Sequence, residues 1–285
     1  MSDPLLEFRG VRKVFHVRRS DGVGREELIA VDGIDLTVAE GAAVAIVGES
    51  GSGKSTCARM AVGLERPTAG QILITGQDQA AVRLTAKERR RRGGILQMVF
   101  QDPYQSLDRR QRVWDCLDEA LRLHQFGDRR RRSTRIEELL DQVGLDERQG
   151  RSLPGGLSGG QRQRVAIARA LAAEPRLLIL DEAVAALDVS IQAQVLNLLA
   201  DIRASTGIAY LFISHDLAVV RQVCDDVVVM HRGRVVERGE STRILVDPQE
   251  AYTRQLVASV PRQGWRPQRR ALSPAPTRPD TKDRP

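Results

Sequence analysis

The stretch Gly48-Glu49-Ser50-Gly51-Ser52-Gly53-Lys54-Ser55-Thr56 has the form G-x-x-x-x-G-K-[S/T], the pattern of a phosphate-binding loop. Gly51 and Gly53 carry no Cβ, so a tight turn there can bring several backbone N–H groups onto one anion. Lys54 supplies a point charge for the β and γ phosphates, and the Ser55 hydroxyl is suited to Mg2+. The flanks agree with this reading. Ala43–Val47 is an apolar run of strand character, and the residues from Thr56 to Ala61 continue helically. A strand end meeting a helix N-terminus is where a helix dipole favours phosphate. A Gly/Ser-rich linker could match the letters by chance, but it would not lie between such flanks. The stretch predicts a nucleoside triphosphate site in an α/β core.

Downstream, Leu157-Ser158-Gly159-Gly160-Gln161 precedes the helical run Arg162–Leu171. Ser158 with Gln161 three residues on is a capping-box start, and two glycines leave backbone N–H groups exposed at the helix head. That makes a second anion-binding helix terminus, for which one chain binding one phosphate chain has no obvious use unless a second copy contributes it. The run Leu177–Leu180 suits a central strand buried on both faces, and Asp181 and Glu182 follow at its C-terminal end, where open α/β sheets bind ligands. Asp181 fits the Mg2+ shell, and Glu182 is placed to orient or deprotonate water. In isolation these two would read as a solvated acidic turn; downstream of a phosphate loop the site reading is favoured. Tyr210–Ile213 is another apolar strand, ending in Ser214-His215-Asp216. A single histidine after a strand is usually structural, but His215 emerges at the same sheet edge, so a γ-phosphate contact is expected of it.

Composition sets the remaining limits. The 285 residues are 41% hydrophobic, enough for a substantial core in one large domain or two small ones. The first nine residues hold no apolar run of signal-peptide length, and no stretch approaches the ~18 apolar residues of a membrane span. Cys57, Cys116 and Cys224 have neither metal-type nor paired spacing, which suggests buried free thiols in a reducing compartment and a cytoplasmic protein. The net charge of +7 invites a nucleic-acid reading, but residues 262–285 carry seven Lys or Arg against two Asp, and five of the twelve prolines. The excess therefore belongs mostly to a basic, proline-rich segment of disordered composition. The runs Arg89–Arg92 and Arg129–Arg132 read as solvated helix faces.

The N-terminal part alternates as strands do over Leu6–Val11 and Leu28–Val38, predicting antiparallel pairing around a charged loop, Arg18–Arg25. Phe15, just before that loop, reads as core when taken alone. Gln71–Gly76 and Ile95–Phe100 are further strands, separated by a polar helix over Lys87–Arg92, and Gln101-Asp102-Pro103 follows the second. From Val113 to Gly144 apolar residues recur at three-to-four spacing, a helical insertion between strands of the α/β core.

In this order the segments resemble the ATP-binding subunit of an ABC transporter over about residues 5–240: Walker A at Gly48–Thr56, the Q-loop at Gln101, the signature at Leu157–Gln161, Walker B at Leu177–Glu182, the D-loop at Ala186–Asp188 and the H-loop at His215. The resemblance implies a P-loop NTPase core with a mixed sheet, an N-terminal antiparallel β subdomain and an inserted α-helical subdomain. It implies one ATPase domain over 1–245 with the insertion at about 102–157, an extension at 246–262 and the basic tail at 263–285. Phe15 falls where the family places an aromatic that stacks on adenine. ATP and Mg2+ would be held by Gly48 to Thr56, Gln101 and Asp181, with Glu182 as general base and His215 as γ-phosphate sensor. Ser158, Gly159, Gly160 and Gln161 would act on the nucleotide of a second ATPase subunit, identical or a sister chain, in a head-to-tail pair.

Val47–Gly51, Phe100–Tyr104, Asp181–Val184 and the ending Tyr252–Leu256 through Val260-Pro261 are similar to the peptide and nickel importer branch. Ala185 stands where a serine is usual, Asp108-Arg109 where Asn-Pro is common, Pro154-Gly155-Gly156 ahead of the signature, and Glu250-Ala251 where His-Pro is usual. This branch implies transmembrane permease subunits, an extracytoplasmic solute-binding protein, no specific nucleic acid, and a place on the cytoplasmic face of the membrane. Two other readings compete. A soluble ABC ATPase of DNA repair or translation would usually show two cassettes or a long coiled-coil insertion; a basic nucleic-acid module would need its charge outside the tail.

Overall fold

A computed structural model describes residues 4–18, 24–83, 85–102 and 106–259. The basic stretch 263–285, Val260-Pro261 and Pro103-Tyr104 lie outside them. The chain opens with two long antiparallel strands, β1 (Leu6–Arg18) and β2 (Arg25–Val38). They are longer than the sequence alternation predicts: His16 faces Glu27 and Arg18 faces Arg25, so pairing continues into the stretch expected as a charged loop. Apolar alternation marks only the half of a ribbon that covers a core; backbone pairing carries the rest into solvent. After β3 (Ala43–Val47) and α1 (Lys54–Ala61), strands β4 (Ala69–Ile74) and β5 (Gln77–Asp78) complete a four-stranded antiparallel sheet in the order β2-β1-β4-β5.

The polar helix α2 (Ala86–Gly93) leads to β6 (Leu96–Val99). One of its arginines is not on a solvated face: Arg92 is buried, pairing with Glu88 at 2.9 Å and donating to the Gln79 carbonyl at 3.1 Å. The helical segment follows as α3 (Val113–Leu123), α4 (Arg129–Gln142) and the short α5 (Glu147–Gly150), and then α6 (Gly159–Leu171). In α4, Arg132 leaves solvent to pair with Asp118 of α3 at 2.6 Å.

The remaining elements are β7 (Leu177–Asp181), α7 (Val189–Thr206), β8 (Ala209–Ser214), α8 (Leu217–Val223), β9 (Asp226–His231), β10 (Arg234–Glu240), α9 (Ser241–Val246) and α10 (Ala251–Ala258). The second sheet runs β10-β9-β3-β8-β7-β6, with all pairs parallel except β10 on β9. Its central strands are covered on both faces, as their uninterrupted apolar runs predict. Ala43, Ala45, Val47, Leu178, Leu180, Tyr210 and Phe212 pack with the helices. Val44, Ile46, Leu177, Ile179, Leu211 and Ile213 pack against α1 and the antiparallel sheet. Each fully buried aliphatic side chain is worth about 1.5–3 kcal/mol, so this two-sided burial fixes strand order and register. Because β3, β6, β7 and β8 are parallel, their C-terminal ends share one edge, and Gly48, Gln101, Asp181 and His215 follow at that edge.

Candidate nucleotide site

The turn from β3 to α1 is held open by backbone that side chains resist. Gly48 has φ 152° and Gly53 has φ 101°. A Cβ on Gly48 would fall on the Met230 carbonyl oxygen, and one on Gly53 on that of Ala30. Neither position can be anything but glycine without moving β9 or β2. Inside the loop the Ser52 N–H donates to the Glu49 carbonyl at 3.2 Å. The Lys54 ammonium, only 4% exposed, donates to the Gly48 and Glu49 carbonyls at 2.8 Å each. Ser50 and Gly51 form the exposed crest of the loop. No side chain caps α1, and the buried Ser52 hydroxyl has no hydrogen-bond partner. Uncapped donors at a helix head, an orphaned hydroxyl and a lysine ammonium are together the chemistry a phosphate chain satisfies.

The carboxylates lie across β8 from this loop. Asp181 Oδ1 accepts from the Ser55 hydroxyl at 2.8 Å. Burial raises the Asp181 pKa, and neighbouring Glu182 adds to the rise, while Ser55, Arg59 and Lys54 oppose it. Burial likewise lowers the Lys54 pKa, against the pull of Glu182, Asp181 and Glu49. The Ser55–Asp181 pair fits Mg2+, which prefers one or two carboxylates and hydroxyls together with substrate phosphates over an all-protein cage. Among the described residues no cluster of three or more His, Cys, Asp or Glu forms such a cage.

Glu182 is the meeting point of the remaining predicted residues. Its Oε2 accepts from the Gln101 side-chain amide at 3.0 Å, and its Oε1 lies 3.4 Å from His215 Nδ1. Its backbone sits at φ 47°, fixed by its N–H on the Ile213 carbonyl at 2.9 Å. A glutamate in that region costs about 1–3 kcal/mol, a strain that recurs at functional sites. The Gln101 amide thus reaches Glu182, and among the described residues no hydrogen bond joins it to the Ser55–Asp181 pair. A cleft of about 580 Å³ opens beside them, lined by Ser55, Arg59, Gln101, Asp102, Arg169 and Asp181.

The other predicted residues make no hydrogen bond or ion pair with these groups among the described residues. Ser158 and Gln161 do form the capping box: the Gln161 N–H donates to Ser158 Oγ at 3.2 Å, and the Ser158 N–H to Gln161 Oε1 at 2.8 Å. Gly160 is glycine for packing, since a Cβ there would fall on Ile191 Cγ2 of α7. Among the described residues no hydrogen bond or ion pair joins Ser158, Gly159, Gly160 or Gln161 to the phosphate loop. Phe15 lies on β1 opposite Leu28, half-buried, with the Lys13 ammonium 4.7 Å from its ring centroid. One residue at the loop was not read from sequence as part of the site. The Tyr252 hydroxyl accepts from the Glu49 N–H at 3.0 Å, a contact 203 positions apart that no local pattern announces.

The family described as ABC transporter matches residues 31–185, more than half of the chain. The chain belongs to the ABC transporter family. The matched stretch of the cassette contains the loop, Gln101, Ser158–Gln161, Asp181 and Glu182; Phe15, His215 and Tyr252 lie outside it. A curated relative, the oligopeptide transport ATP-binding protein OppF of Lactococcus lactis, is 45% identical over 251 residues, covering 87% of this chain and 78% of its own. Among solved structures, the dimeric post-hydrolysis state of the ATP-binding cassette MJ0796 with ADP and Pi superposes with a TM-score of 0.74 at 28% identity, over 83% of this chain and 98% of that one. The cbiO1 protein of Clostridium perfringens, part of the ABC transporter complex cbiONQ, gives 0.72 at 29% identity, over 86% and 92%.

Proposed function

We propose that the cassette is the ATP-hydrolysing subunit of a peptide importer, acting at the cytoplasmic face of the membrane on permease subunits that receive cargo from an extracytoplasmic solute-binding protein. The OppF relative, described as an oligopeptide transport ATP-binding protein, supports peptides over nickel as cargo. No helix among the described residues is long and apolar enough to cross a membrane, in keeping with separate permease subunits. The helical segment within 102–157 is the surface assigned to them; Tyr104, expected there too, lies outside the described residues.

The observation that carries the ATPase reading is the Glu182 carboxylate held between Gln101 and His215, one residue beyond the Asp181–Ser55 pair. The loop N–H groups and Lys54 bind the phosphates, with Gly48 to Thr56 supplying the cradle. Ser55 and Asp181, with Gln101 nearby, would hold Mg2+, which neutralises charge on the β and γ phosphates. Glu182 takes a proton from the attacking water while the γ-phosphorus bonds to that water and separates from the ADP oxygen. Gln101 holds one of the Glu182 oxygens, and His215, 3.4 Å from the other, acts as the γ-phosphate sensor. Phe15 is assigned to the adenine. Ser158, Gly159, Gly160 and Gln161 act on the nucleotide of a second cassette, where the N-terminal dipole of their helix steadies charge developing on the γ-phosphoryl.

Glu182→Gln keeps the shape and the Gln101 and His215 neighbours but removes the base. It should retain ATP binding and lower turnover about 10²–10⁴-fold, equivalent to roughly 3–5 kcal/mol of barrier. Phosphate release measured beside equilibrium ATP binding tests this, and turnover at the unsubstituted rate would refute the assignment of the base.

A further inference from the structure

The peptide unit joining Gly48 to Glu49 is gripped at both ends. Its carbonyl accepts from the Lys54 ammonium at 2.8 Å, and its N–H donates to the Tyr252 hydroxyl at 3.0 Å. In a planar trans peptide these two groups point in opposite directions, so any rotation of the plane breaks both contacts. The Glu49 carbonyl, on the next peptide, is the second acceptor for Lys54 and also receives the Ser52 N–H. A desolvated ammonium needs these oxygens, and their orientation decides where its charge is aimed.

Tyr252 is itself firmly held. It sits in the first turn of α10, with its ring against His231 at the end of β9, centroids 4.0 Å apart and planes tilted by 41°. The neighbouring Met230 carbonyl is the atom that excludes a side chain at Gly48. The segment entering α10 is tied to β10, where the Glu237 carboxylate accepts from the Gln249 N–H at 2.8 Å and the Glu250 N–H at 3.1 Å. Thr253, Leu256 and Val257 of the same helix are buried. An unbroken path therefore runs from β10 through the head of α10 to the phosphate loop.

We propose that Tyr252 is a positioning residue for ATP: its hydroxyl fixes the Gly48–Glu49 peptide plane that aims Lys54, so the C-terminal helix sets nucleotide affinity. The inference rests on the ATP-site reading above and adds to it a determinant outside the loop. Tyr252 acts through the Gly48–Glu49 peptide and Lys54. Its loss removes binding shared by ground and transition states, which appears in affinity and not in the chemical step.

Tyr252→Phe tests it in the full chain, because it keeps the ring on His231 and deletes only the acceptor. Calorimetric titration with a non-hydrolysable ATP analogue and Mg2+, at a temperature where both proteins are fully folded, should show Kd raised about 3- to 10-fold, the range for one hydrogen bond. Turnover at saturating ATP should stay within about twofold of the unsubstituted chain. An unchanged Kd overturns the role of Tyr252, whatever happens to the unfolding temperature. Failure of the unsubstituted chain to bind the analogue would overturn this proposal together with the ATPase reading.

Discussion

Asp181 ends β7 with its carboxylate largely out of water, and burial raises its pKa although Ser55, Arg59 and Lys54 pull the other way. A carboxyl group whose folded-state pKa is raised stabilises the fold fully only below its unfolded value, and that contribution is lost as pH rises through the folded value. At neutral pH the nucleotide-free protein therefore bears a cost at this residue. Asp181→Asn, which keeps an acceptor for Ser55, should raise the unfolding midpoint at neutral pH, lose that advantage in acid, and abolish Mg2+-dependent hydrolysis. Scanning calorimetry at the two pH values, with a phosphate-release assay, checks all three. The residue types at this site were legible because each sits at a strand end within a short local pattern. Which groups touch was not: Gln101 and Glu182 are 81 positions apart, and only the parallel register brings them to 3.0 Å.

Among the elements, α6 was readable at its start and unreadable along its side. The Ser158 and Gln161 capping box is written within four residues. The reason for Gly160 lies in Ile191, on a helix that arrives only after β7. Gly160→Ala gains helix propensity, yet it should destabilise the protein by about 1–3 kcal/mol, because an added methyl in a packed contact forces its neighbours apart. Ile191→Ala in the same chain should recover part of that loss. Urea unfolding of the two single variants and the pair measures the coupling. The same limit explains the N-terminal ribbon and the arginines. Alternation marks where β1 and β2 cover apolar surface, while their pairing runs on to Arg18 and Arg25. Arg92 is buried because Glu88 and the Gln79 carbonyl surround it, although its run of four arginines reads as solvated.

For the whole molecule, the decisive question is which nucleotide Ser158 serves. It caps its own helix, and among the described residues no hydrogen bond or ion pair ties it to the loop of its own chain. Ser158→Glu, which sets a negative charge at the helix head, should leave the isolated chain's Kd for ATP unchanged and cut turnover at least ~10²-fold, the scale of losing electrostatic support for a developing oxyanion. Titration of the isolated chain and a turnover assay separate the two effects; a weakened Kd would mean that the chain closes on its own nucleotide. The sequence by itself determined the α/β core, the phosphate loop, the strand-end carboxylates and the capped start of α6, because spacing along a strand or a helix turn is a local property of the backbone. Tertiary structure alone decided that Glu182 is shared by Gln101 and His215, that Gly160 is glycine on account of Ile191, and that Tyr252 grips the loop. Those contacts exist only once sheet register and burial have brought distant segments within hydrogen-bond reach, and no short pattern encodes them.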